Sequence, residues 1–66
     1  MNVILYSTHC PKCKVLESKL KEKNVHYEEI NNIKIMQEKG FEFVPVLEVD
    51  GECYGFKQAV EWIGGH

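Results

Sequence analysis

The chain contains no arginine. Proteins that grip nucleic acid usually present a basic face, and they favour arginine for its planar fork. Here eight lysines stand against ten acidic residues and the net charge is −2, so nucleic acid is not an expected partner. The lysines read as solvated helix surface. Long apolar runs are also missing. The apolar start VILY, Val3 to Tyr6, falls short of the roughly 7–15 residues of a signal-peptide core. No segment approaches the ~20 residues that span a bilayer. The expectation is therefore a cytoplasmic protein with no membrane partner. Repeats, linkers and low-complexity tracts are absent as well, which leaves one domain over residues 1–66 with one small core. A chain this short buries only about 60% of the surface its unfolded form exposes. It has little room for a deep cavity, so its chemistry should sit at the surface, and a monomer is expected.

Cysteine is scarce: there are three, an odd count that argues against a disulfide framework. Two of them stand close together in STHCPKCK, Ser7 to Lys14, as Cys10 and Cys13. In a reducing compartment such a pair points to redox catalysis or to a metal. A structural zinc site wants four ligands, and the chain has no second CxxC and no HxxxH. The residues left to complete one are His9, His26, Cys53 and His66, each single and scattered. A small zinc or iron–sulfur binding module therefore stands only as the alternative from another class.

The pattern along the chain places this pair. NVILY is short, β-rich and apolar throughout, and it reads as a buried strand. From Pro11 to Lys23 the period turns helical. Pro11 suits a first helical position, where its missing N–H costs nothing. Cys13, Leu16 and Leu20 fall on one helical face, with Lys12, Lys19 and Lys23 on another. VHYEEI, Val25 to Ile30, reads as a second strand. Asn31 or Asn32 caps a short helix that stops at Gly40. FVPVLEV, Phe43 to Val49, reads as a third strand. Asp50-Gly51 is a two-residue hairpin signal that returns the chain through ECY, Glu52 to Tyr54. Phe56, Val60 and Ile63 mark a last amphipathic helix, ended by Gly64-Gly65. The order is β-α-β-α-β-β-α: an α/β fold with a four-stranded mixed sheet and helices on both faces. Its first two strands are parallel through a right-handed crossover. The first and third strands are apolar on both faces, as a covered sheet requires.

This order puts Cys10 at the N-terminus of the first helix. Unpaired amides and positive potential there favour a thiolate, and Lys12 and Lys14 add charge. Such cysteines can have a pKa well below the free value of about 8.5, and the thiolate is the nucleophile. Cys13 lies one turn in, on the core-facing stripe. That asymmetry suits thiol–disulfide exchange, with attack by Cys10 and resolution by Cys13. His9, adjacent to Cys10, reads first as plain loop surface and second as a group that tunes Cys10. Cys53, on the return strand of the hairpin, reads as a small buried hydrophobe, with a regulatory or glutathionylated thiol as the alternative.

With these elements in place, the chain resembles the glutaredoxins and their relatives of the thioredoxin fold. The resemblance covers nearly the whole chain. CPKC, Cys10-Pro11-Lys12-Cys13, is similar to the family's Cys-Pro-Tyr-Cys. Val44-Pro45-Val46 looks like its cis-proline loop, which lies against the active-site disulfide and pairs with the bound thiol substrate. Many glutaredoxins carry a lysine three residues before the first cysteine, used on the glutathione carboxylate; here it is Ser7. Many carry Gly-Gly after the fourth strand; here the pair is Gly55-Phe56. Gly55-Phe56-Lys57 is instead similar to the Gly-Phe-Arg of redoxins that feed electrons to ribonucleotide reductase and draw them from thioredoxin reductase. The following Pro-Asp of those redoxins is Gln58-Ala59 here.

The resemblance implies a thiol–disulfide oxidoreductase with Cys10 and Cys13 catalytic. His9, Pro11, Lys12, Val44, Pro45, Gly55 and Phe56 are expected on the substrate side, with Phe56 otherwise a plain core residue. A dithiol cycle requires no metal or organic cofactor. The expected substrate is a disulfide in a protein or a small molecule. The expected electron source is thioredoxin reductase, or glutathione in the alternative reading of a glutathione-dependent glutaredoxin.

Overall fold

The structure is a computed structural model that describes residues 2–65. Its elements are β1 (Val3–Tyr6), α1 (Pro11–Glu22), β2 (Glu28–Ile30), α2 (Ile33–Glu38), β3 (Val46–Val49), β4 (Glu52–Tyr54) and α3 (Phe56–Gly64), in the expected order. The strands form one sheet in the order β2-β1-β3-β4. β1 pairs with β2 in parallel and with β3 antiparallel, and β4 returns antiparallel beside β3.

Alternation along β1 divides the core in two. Val3 and Leu5 face α1 and α3, where they join Leu16, Leu20, Leu47, Val49, Ala59 and Ile63. Ile4 and Tyr6 face α2, where they meet Met36, Val46, Ile35 and Phe41. Tyr6 and Phe41 stack edge to face with ring centres 5.0 Å apart. Helices thus cover both faces, and Cys13, Leu16 and Leu20 are the buried stripe of α1.

Local chemistry sets the ends of the elements. Pro11 opens α1. Asn32, rather than Asn31, caps α2: its side-chain oxygen accepts from the amides of Lys34 and Ile35 at 2.9 and 3.3 Å. Asp50 and Gly51 both take positive φ, 48° and 91°, the conformation that a two-residue turn matched to strand twist demands. The Asn2 N–H donates to Asp50 Oδ1 at 2.8 Å and the Asp50 N–H to the Asn2 carbonyl at 2.9 Å, which ties this turn to the start of β1.

Two strands are shorter than their apolar patterns suggest. The second was expected over Val25–Ile30, but β1 offers ladder partners only from Ile4, opposite Glu28. The Val25 N–H instead closes the end of α1 on the Leu20 carbonyl at 2.9 Å, and Val25 and Tyr27 pack against the core. The third was expected over Phe43–Val49. Pro45 has no N–H to donate, and the pairing with β1 ends at Tyr6 opposite Val46. Residues 43–45 therefore form a loop leading into β3, and Phe43 is 66% exposed.

Leu47 is fully buried between the sheet and α3. Leu47→Ala should cost about 2–5 kcal/mol, a large share of what a chain of this size holds. Ile33, 59% exposed, should tolerate alanine within about 0.5 kcal/mol. Urea unfolding midpoints of the two variants check both values.

Candidate functional site

The sheet register brings three loops to one end. Tyr6 pairs with Ile30 and with Val46, and Leu47 pairs with Tyr54. The segment leaving β1 (residues 7–10), the loop leading into β3 (residues 43–45) and the junction of β4 with α3 at Gly55 therefore lie side by side. Cys10, Pro11, Lys12, Val44, Pro45, Gly55 and Phe56 all belong to this end.

Cys10 is the N-cap of α1, with extended backbone, and the Cys13 N–H donates to its sulfur at 3.2 Å. The donor and the helix terminus place positive partial charge at the sulfur. The first turn of α1 carries no acidic side chain to oppose this. Cys10 and Cys13 are joined as a disulfide with Cα atoms 4.9 Å apart. Cys13 is fully buried, whereas Cys10 is half-buried and Pro11 and Lys12 are exposed.

The segment before Cys10 is held by β2. The Ser7 N–H donates to the Ile30 carbonyl at 3.1 Å. The Ser7 hydroxyl donates to Glu29 Oε2 at 3.4 Å and accepts the His9 N–H at 3.2 Å. His9 takes φ 62°, an uncommon conformation for a side-chain-bearing residue, and it turns the chain into the helix. Ser7 is completely buried. At the position where the resembled family carries a ligand-binding lysine, this chain has a side chain turned inward. His9 itself is exposed, with Nδ1 3.8 Å from Glu29 Oε2.

On the opposite side of Cys10, the Val44–Pro45 peptide is cis, Pro45 is buried and Val44 half-buried. Gly55 starts α3 without a side-chain cap, and the Phe43 ring lies close over it, 3.7 Å from where a Cβ would stand. Phe56 does two things: it packs against the larger core, and Lys12 Nζ sits over its ring, 5.5 Å from the centre. Lys12 and Phe56, which are 44 residues apart (56 − 12), are thus brought together. Phe43 is the residue that sequence reading missed at this end. Its one signal is an aromatic side chain immediately before Val44-Pro45.

Cys53 corrects an expectation. It is exposed rather than a core residue. Alternation along β4 turns Tyr54 toward the larger core and Cys53 to the opposite face, beyond the cover of the six-residue α2. There it lines a cavity of about 290 Å³ with Phe41, Phe43 and Val46. Its Sγ lies 3.9 Å from Glu48 Oε1, which also accepts from the Tyr6 hydroxyl at 3.2 Å and faces Lys39 Nζ at 3.5 Å. Partial burial, and then the Glu48 charge, push the Cys53 thiol above its ordinary value, with Lys39 opposing.

Among the described residues, the scattered metal candidates do not gather on the cysteine pair. His26 lies beside Asn2 and Val3, at the far end of the sheet, and His66 lies outside the described residues. Among the described residues, the group that brings three ligand atoms together is His9, Glu17 and Glu29. Sequence reading missed this cluster, because its members come from three separate segments. No helix among the described residues is long and apolar enough to cross a membrane.

No protein-family model and no curated protein matches the chain. Among solved structures, a trimeric glutathione transferase of Leishmania is similar, with a TM-score of 0.76 and 24% identity over 98% of this chain. The fold is thioredoxin-like. The chain spans 17% of the length of that transferase, so the likeness is one of architecture. In this thioredoxin-like frame the cysteine pair sits where β1 hands over to α1.

The environment of Cys53 predicts how it reacts. In the reduced protein its alkylation should be slow at neutral pH and should rise only as pH passes its elevated thiol value. Glu48→Gln removes a charge that opposes ionisation, so the thiolate should form at lower pH and alkylation at pH 8 should quicken. Mass spectrometry of timed iodoacetamide reactions reads both rates.

Proposed function

We propose that the chain is a thiol–disulfide oxidoreductase of the glutaredoxin-like redoxin type. The observation that carries this is the asymmetry of the pair. The Cys10 sulfur stands at the mouth of α1 and receives a helix amide, while Cys13 is sealed beneath it. In the reduced protein the Cys10 thiolate attacks one sulfur of a substrate disulfide and the other leaves as a thiolate. Cys13 then attacks the Cys10 sulfur, which releases the second substrate thiol and closes the Cys10–Cys13 disulfide. Two electrons pass to the substrate, and an external reductant restores the dithiol. The cycle needs no metal or organic cofactor. Its substrate is a disulfide in a protein or a small molecule, met by a monomer in the cytoplasm.

Thioredoxin reductase is the proposed electron source. Ser7 is buried and bonded to Glu29, so it offers nothing to a glutathione carboxylate. Phe56 brings a ring, already covered by Lys12, where open glycine amides would otherwise be available. Loss of one charge-assisted contact is worth roughly 1.5–3 kcal/mol, or about one to two decades in affinity. The glutathione-coupled reading rests on exposed Lys12 and Lys57, cations available to a ligand carboxylate at this end.

Cys10→Ser should abolish reduction of a disulfide substrate. Cys13→Ser should accumulate mixed disulfides with protein substrates, visible by mass spectrometry. Faster attack through Cys13 than through Cys10 would reverse the roles and sink this mechanism. With NADPH oxidation as the readout, thioredoxin reductase should drive turnover faster than glutathione and its reductase. Robust cycling with glutathione alone would select the second reading.

A further inference from the structure

We propose that His9, Glu17 and Glu29 form a binding site for one divalent cation of zinc's borderline class, separate from the cysteine pair. Their ligand atoms lie within 4.8 Å of one another. They come from three parts of the fold: the segment after β1, the second turn of α1, and β2. Protein ligands stand about 2.0–2.2 Å from zinc, so two ligands of one tetrahedral ion sit roughly 3–3.5 Å apart. His9 Nδ1 and Glu29 Oε2, at 3.8 Å, are near that spacing already and too far apart for a good direct hydrogen bond. The remaining contraction is a side-chain adjustment, and the imidazole, 58% exposed, has room to make it.

The supporting shell is also present. Glu29 Oε2 accepts from the buried Ser7 hydroxyl at 3.4 Å. In the amide orientation that satisfies its neighbours, Asn31 donates to the same oxygen at 3.0 Å and to the Ser7 carbonyl at 2.8 Å. Both bonds fall on Oε2, the oxygen nearest His9, and they fix the orientation of the Glu29 carboxylate as outer partners do for a metal ligand. No lysine pairs with Glu17 or Glu29 among the described residues. One imidazole with two carboxylates suits zinc and its first-row neighbours better than magnesium or calcium, which prefer all-oxygen sites. Three protein ligands leave a fourth position to water. A bound ion would link α1 to β2 across the segment that carries His9 and leads into Cys10.

This site does not depend on the redox reading, and the test keeps the two apart. Zinc is titrated calorimetrically, without affinity tags, into the disulfide-intact protein and into a thiol-free variant with Cys10, Cys13 and Cys53 changed to serine. Both should bind one equivalent with similar affinity, and NMR should show the His9 imidazole shifting while His26 stays in place. His9→Asn removes the imidazole but tolerates the left-handed backbone. Glu29→Gln keeps the acceptor for Ser7 and Asn31, and Glu17→Gln lies half-buried on α1. Loss of an outer partner alone costs 10–100-fold in typical sites, so each variant should weaken binding by at least about tenfold. Circular dichroism confirms that each is folded. Binding that vanishes in the thiol-free variant, that reports at His26, that survives both glutamine variants, or that fails to saturate at millimolar zinc would overturn the proposal.

Discussion

Val3–Tyr6 is shared by both halves of the core, and the rest of the structure depends on that sharing. In a chain of 66 residues one strand must serve two apolar clusters, with Val3 and Leu5 against α1 and α3 and Ile4 and Tyr6 against α2. Leu5 and Tyr6 are sealed to 0% and 1% exposure. The strand is therefore fixed in register on both sides, and a slip of one residue would exchange the two clusters. Whatever leaves its C-terminal end leaves from a rigid point. Ser7, buried and bonded to β2, extends that rigidity by one residue before the chain turns through His9 into α1.

The geometry at this end follows from that anchoring. Cys10 is held by the strand behind it and by the helix in front of it, and its side-chain sulfur accepts the Cys13 N–H of the first helical turn. Phe56 and Lys12 close the flank toward α3. Phe43 and Val44 supply the apolar flank leading to buried Pro45. The cysteine pair thus combines an open approach with a fixed floor, and Cys13 is part of that floor.

Much of this was legible in the sequence, and the failures share a cause. The stripe Cys13, Leu16 and Leu20, the Pro11 start and the Asp50-Gly51 turn are local signals, and each is where the pattern puts it. Strand ends are set by partners. Val25 and Phe43 look like strand residues, but β1 has nothing to pair with them. Cys53 reads as an apolar residue of a return strand, yet its burial depends on how far a six-residue helix reaches across the opposite face. The contact of Lys12 with Phe56 and the cluster of His9, Glu17 and Glu29 join segments that are distant in sequence, and no spacing rule finds them.

The two outer strands carry a consequence for how other molecules can approach. β2 and β4 are three residues long, and each begins with glutamate, Glu28 and Glu52. Short edges with charged side chains resist recruitment of a further strand. An extended peptide laid along either margin would gain few backbone pairs and would meet carboxylates. Polymerisation through the sheet is disfavoured for the same reason.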